Sequence, residues 1–391
     1  MNLFKRNVIL SFSIFLIALS IGCALFGYYG VGKIQSTQDT IDKLTWLIEP
    51  SEVYDYIDFW DKENLFIAER TEDKAQYLLD STGAVVNKVS ASEILSNGYY
   101  TYKVDNSYGI KDKNDQIIIK ADFSYVYDEG NYFVAFSEEN IPSIYTLEGK
   151  HLHTGSESAD VYYLKDDQFY IYPWSNKDCY IFHAETQVKE SIVWDDLTFE
   201  SLYINEQGEL YGACSGIVYF LDENFDVNKE KPIYDQYDEL SEGLRYVVIL
   251  DKKTDKVTPC YINEQGEVII KLEGDVPESA GPFREDKALI EQNNKLICID
   301  KTGKELFRLD VKRRDSSFTF YDTYIYSEGL AAVSLDGDKY GYIDASGEFI
   351  IPAIFDNADE IKNGYAPVAF YRDDYQYGIL DFNQGGVTDA E

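Results

Sequence analysis

Hydrophobic and polar positions follow one order through much of the chain, clearest in residues 327–352, "SEGLAAVSLDGDKYGYIDASGEFIIP". An acidic residue and a glycine open the unit. An apolar run follows, then a polar turn, an aromatic run ending in Asp, a short turn carrying Gly, and a third apolar run. Short runs bounded by Gly, Asp and Ser predict strands joined as hairpins. Residues 241–270, "SEGLRYVVILDKKTDKVTPCYINEQGEVII", repeat the order. Midway lies "REDKALIEQNNKLICIDKTGKELF", with Asp286 in the glycine's place, so the local period is roughly 43 residues. Looser copies start at Asn97, Glu129 and Asn363, and fainter ones fill residues 64–86 and 150–235. From Gly98 to Gly364 the mean step is roughly 38 residues.

A single hairpin cannot keep water off its apolar face, so about nine of them must stack around a shared interior. A period near 40 residues, with about four short strands per unit, is that of a β-propeller blade. The predicted fold is all-β: a repeat array of β-hairpin units, β-propeller-like, with an open β-solenoid as the alternative. Closure is preferred because it leaves no free strand edges.

The amino terminus breaks the pattern. Lys5 and Arg6 precede an uncharged stretch that Lys33 ends. Residues 8–31 would span about 36 Å as a helix at roughly 1.5 Å per residue, enough to cross a bilayer. The leading cations predict a cytoplasmic amino terminus and an exported remainder. "LSIGC", ending at Cys23, resembles a bacterial lipobox and offers lipidation there as the alternative, although Ser20 and the apolar "ALFGYYG" favour an uncleaved anchor. The expected domains are a membrane anchor or signal segment over 1–33, a stalk over 34–60 and the repeat array over 61–391.

Composition narrows function. Of 391 residues, 34 are Tyr, which suits half-buried pleated surfaces. The net charge of −35 sets the chain against nucleic acid and leaves basic partners compatible. Beyond Cys23, Cys179, Cys214, Cys260 and Cys298 are too far apart for a zinc finger and read as scattered thiols.

One unit has a recognisable form. Tyr340, Gly341, Tyr342, Ile343 and Asp344, then Gly347, Pro352, Phe355-Asp356 and Gly364-Tyr365-Ala366, resemble a tryptophan–glycine (WG) repeat. Tyr108-Gly109 and Tyr377-Gly378 match in part. Tyrosine stands at 340, 108 and 377 where the family's tryptophan is expected. The resemblance implies all-β repeats, often on bacterial surface proteins, and implies no activity.

Candidate chemistry is sparse. Asp222, Asn224 and Asp226 alternate as at the start of a calcium loop. Val227 stands where that loop needs glycine, so an acidic turn is the preferred reading and calcium the alternative. His151 and His153 read as a solvated pair, half of a zinc site. Ser215, in "GACSG", lacks the context of a nucleophile. Tyr99, Tyr100, Tyr102, Tyr125 and Tyr127 read first as ordinary cross-strand packing, with a sugar-stacking platform as the alternative. The expectation is therefore a non-catalytic, membrane-anchored extracytoplasmic scaffold without cofactors, presenting an acidic surface to a basic protein or peptide. A cell-wall or glycan-binding module is the alternative, and a glycoside-type hydrolase a more distant one.

Overall fold

The computed structural model describes residues 39–60, 65–89, 95, 99–175, 178–192, 194, 197–312, 324–372 and 374–383. The proposed anchor and Cys23 lie outside them. Helix is confined to residues 39–41 among those described, where no helix is long and apolar enough to cross a membrane.

The rest is antiparallel sheet, laid down in chain order. Sheet one spans residues 54–89, sheet two 100–123, sheet three 125–154 and sheet four 159–191. Sheets five (201–220) and six (233–271) touch through a single Val218–Tyr234 pairing and so run on as seven strands. Sheet seven spans 279–310, sheet eight 326–355 and sheet nine 357–381. Most have four strands, and burial is graded across them. In sheet four the first strand is half-buried, the second and third are buried, and the fourth is fully exposed.

The repeat grammar acquires physical causes. Asp344, which ends the aromatic strand, accepts hydrogen bonds at Oδ1 from the amides of Ser346 (2.8 Å) and Glu348 (3.1 Å). Gly347 supplies the left-handed φ of 84° that closes this turn. Asp80, Asp112, Asn205, Asp222, Asn263 and Asp300 each hold the amides two and four residues ahead in the same way.

The glycine after the motif tyrosine answers a different demand. Tyr340 is registered with Phe355 but Tyr342 with Ile351, so the fourth strand of sheet eight bulges around Pro352. A Cβ on Gly341 would sit 2.5 Å from the Ile351 carbonyl oxygen and 2.7 Å from the Ala353 nitrogen. Gly109 meets the bulge at Ile119 to Ala121 identically.

The acidic-glycine step is a hairpin turn with two successive positive-φ residues: Glu242–Gly243, Glu285–Asp286, Glu328–Gly329 and Asn363–Gly364. Glutamate is a poor choice for that backbone unless its side chain is needed. Each reaches the corresponding turn of the next sheet. Glu242 accepts from the amides of Glu285 (2.8 Å) and Asp286 (3.0 Å), Glu285 from Gly329 (3.0 Å), and Glu328 from Gly364 (2.8 Å). Ser241 and Ser327 add hydroxyl bonds to the Phe283 and Ile361 carbonyls. Sheets six to nine are thus stitched turn to turn.

Apolar clusters fill the gaps between consecutive sheets from two through nine. A further cluster joins the two ends, with Ile57, Phe66 and Leu79 of sheet one against Ala369, Tyr377 and Ile379 of sheet nine. Strand Trp46–Ile48 completes sheet nine by pairing with Tyr375–Asp381, and Asp381 N donates to the Thr45 carbonyl at 2.9 Å. The stalk expected over residues 34–60 is corrected accordingly: residues 46–48 and 54–60 are strands of sheets nine and one, and Ile57 is fully buried. Residues 46–48 looked like a linker because their strand partner, Tyr375–Asp381, lies more than 300 residues away, whereas residues 54–60 pair with the adjacent Leu65–Arg70.

Candidate functional site

The sequence-derived residues separate into framework and surface. Gly341, Gly109, Asp344, Gly347 and Pro352 serve turns and bulges, Gly378 abuts Ile48 and Pro50, and Tyr340, Tyr108 and Tyr377 pack against the apolar clusters. Asp222, Asn224 and Asp226 form one of the turns described above, with the Asp222 carboxylate spent on backbone amides. Among the described residues no three His, Cys, Asp or Glu side chains converge as a metal site. The expected histidine pair does not exist as a pair. A register shift beside Tyr145 leaves His151 exposed and His153 buried, bonded to the Tyr180 hydroxyl at 2.8 Å and stacked on Phe182. Burial holds the His153 imidazole neutral, its pKa lowered to about 4. Ser215 sits at a hairpin tip, its amide donating to Glu200. The four cysteines among the described residues are free, three of them buried and each in a different sheet.

The tyrosines divide likewise. Tyr99 packs edge-on against Phe133, and Tyr102 accepts the Ala121 amide. Tyr125 is 51% exposed and lies over Tyr127 at 5.6 Å. From there a band of rings crosses the half-buried first strands. The Tyr127 hydroxyl reaches the Val161 carbonyl, Tyr162 meets Tyr203 at 5.5 Å, Tyr203 meets Tyr211 at 5.4 Å, and Tyr211 meets Tyr237 at 5.3 Å. The Arg245 guanidinium caps the band, 4.1 Å above the Tyr237 ring. Acids punctuate the same strands at Glu129, Asp160, Asp235 and Asp238. Burial raises the Glu129 carboxyl, and burial with the nearby Asp160 pushes the Tyr162 hydroxyl up to about 12.

Two clefts open on first strands. The larger, about 510 Å³, lies between sheets six and seven and is lined by Gln236, Tyr237, Asp238, Tyr246, Glu278 and Arg284, among others. Gln236 donates to both Asp238 carboxylate oxygens, at 2.9 and 3.1 Å. Burial raises the Asp238 carboxyl, while Arg245 draws it back down. The smaller, about 380 Å³, lies over the junction of sheets nine and one, with Asp58, Tyr324, Asp359 and Lys362 on its walls. Asp359 is pushed up to about 7, mainly by burial and then by the charge of Asp58.

Asp238 and Asp359 are equivalent positions, in "YDQYDE" (234–239) and "FDNADE" (355–360). That shared hexapeptide was the one signal able to single them out among 70 acidic residues. Nothing in spacing, however, says that burial would act on the fifth residue and spare the second.

Comparisons with known proteins place the repeats. Residues 261–295 and 340–370 match the WG containing repeat. No curated protein matches the chain. Among solved structures, BamB from Moraxella catarrhalis aligns at 8% identity and TM-score 0.40 over 87% of this chain and all of its own. The computationally designed Ika8 protein aligns at 10% and 0.38 over 86% of this chain and 99% of its own. The dihydro-heme d1 dehydrogenase NirN, in complex with DHE, aligns at 14% and 0.41 over 66% of each chain.

Proposed function

We propose that this chain, two segments of which are WG-containing repeats, is a non-catalytic scaffold that captures a basic protein or peptide on the acidic, tyrosine-rich side formed by its first strands. The observation that carries the reading is the ring band from Tyr162 to Tyr237, which ends at the acidic cleft of Asp238, with a second acidic cleft at the equivalent Asp359. Lysine and arginine are the side chains that both rings and carboxylates attract. A net charge of −35 would speed encounter with such a partner. In this reading the nine sheets form a closed propeller-like ring sealed by strand Trp46–Ile48. Residues 8–31 hold the ring to the outer face of a cell membrane, with lipidation at Cys23 as the alternative anchor.

The test is capture of basic proteins by the full chain at 0.05 and 0.5 M salt. Affinity should fall steeply with salt, and salt-insensitive capture refutes an electrostatic surface. A glycan-binding reading draws on the exposed Tyr125 ring, stacked on Phe136 and tilted over Tyr127. It requires retention on peptidoglycan or polysaccharide that Tyr125→Ala abolishes. A hydrolytic reading draws on Asp359 beside Asp58 and requires glycoside turnover lost in Asp359→Asn.

A further inference from the structure

The cleft between sheets six and seven differs from the acidic surface around it in one respect. Tyr246 lines it, is 2% exposed, and has a hydroxyl without any hydrogen-bond partner. Leaving such a group unpaired costs about 1–3 kcal/mol, and native proteins rarely do so without cause. Its acidic neighbours Asp238 and Glu278 have partners, Glu278 accepting the Asn293 amide at 3.1 Å, but those partners are neutral. The half-buried Asp238 carboxylate receives only the neutral Gln236 amide, and Glu239 and Glu278 add negative charge to the same walls. Against them stands Arg284 on the rim. Arg245 is committed elsewhere, lying on the Tyr237 ring and donating to Glu206 at 2.5 Å. At about 510 Å³ the space exceeds what one long side chain needs.

We infer that this cleft is a socket for a single cationic side chain, an ammonium or guanidinium on an alkyl arm. Its N–H groups donate to the Asp238 carboxylate and to the Tyr246 hydroxyl oxygen, and Glu239 and Glu278 add to the negative field that draws the cation in. The arm packs along Pro277 and Pro282. This deepens the acidic-surface reading and rests on it for the source of the cation, a basic peptide. A lone acidic patch would attract cations without holding one, whereas an unsatisfied buried acceptor beside a desolvated carboxylate selects a donor.

Two probes separate the socket from the surface. Fluorescent decalysine, followed by anisotropy with the full chain, reads the whole acidic face. n-Butylammonium, followed as a saturable rise in melting temperature, reads the socket alone. Tyr246→Phe should weaken both by about five- to tenfold, and Asp238→Asn by roughly tenfold or more. Asp222→Asn is the control and should change neither, because Asn205 and Asn263 already hold the same turn. Tyr246→Phe should also leave the unliganded chain as stable as the parent or more so, which a structural tyrosine would not. If decalysine binds but n-butylammonium does not saturate and both variants bind like the parent, the socket is wrong and the acidic face stands. If n-butylammonium saturates and decalysine fails to bind, the acidic-face reading is wrong and the socket stands. Failure of both probes overturns both.

Discussion

Replacing Gly378 by alanine asks whether the amino-terminal strand holds the array together. A Cβ at this position would lie 2.7 Å from the Ile48 carbonyl oxygen and 2.8 Å from two Pro50 ring carbons. Backbone and a rigid ring stand in the way, so something must move, and overpacking of this kind costs about 1–3 kcal/mol. The element free to retreat is Trp46–Ile48, held by two registered pairs and the Asp381–Thr45 bond. Gly341→Ala is the internal comparison. Its Cβ would meet backbone at 2.5 Å, but the obstructing strand continues from its own hairpin and has nowhere to go. Gly329→Ala separates clash from conformation: nothing lies within 4 Å, and only the left-handed φ of 85° is penalised, by about 1–2 kcal/mol. Urea unfolding gives the three losses and amide hydrogen exchange locates them. Gly378→Ala and Gly341→Ala should lose similar stability, a fall of roughly 1.5–4 °C in melting temperature if a chain of this size melts as one unit. Exchange over residues 44–50 should accelerate in Gly378→Ala alone. Unchanged protection there, whatever the midpoint, would refute the assignment of that strand as the seam.

Other outcomes follow from the same contacts. Glu242→Ala removes the stitch to the turn at Glu285 and Asp286 and should cost about 1 kcal/mol in denaturant melts, with Glu242→Gln recovering more than half. The Asp359 carboxyl, raised to about 7, stays protonated in the fold over a range where the unfolded chain ionises it near 4. Its stability contribution is full below pH 4 and lost as pH climbs to 7. Asp359→Asn should therefore raise the melting temperature at pH 8 and not at pH 4, by the equivalent of about 1–2 kcal/mol after allowance for its remaining contact with solvent. The turn carboxylates Asp80, Asp300 and Asp344 act oppositely. Bonds from Thr82, Thr302 and Ser346 respectively lower them, so their contribution is present above about pH 4 and disappears as pH falls through the lowered values. A melting temperature unchanged from pH 4.5 to 2.5 would contradict this, and Asp344→Asn should flatten part of the decline.

The local order of the chain was readable because its causes are local. The glycine after Asp344 and the acidic-glycine steps answer to backbone conformations set within a few residues, so their spacing revealed hairpins, period and family resemblance. The aspartate turns also explain why the sequence at Asp222 imitates a calcium loop: alternating acids and amides serve an Asx turn as readily as a cation. What the tertiary structure alone decided is everything that depends on distant partners. Strand Trp46–Ile48 carries no mark of its pairing with Tyr375–Asp381, and it read as part of a stalk for that reason. His151 and His153 differ in burial because of a bulge against a neighbouring strand, which period-two alternation cannot foresee. Among dozens of acids, only packing between sheets distinguishes a solvated carboxylate from the one at Asp238 or Asp359, since desolvation is a property of surroundings assembled from several repeats. The sequence thus determined the repeating unit, and assembly of the units determined which of its side chains were left wanting a partner.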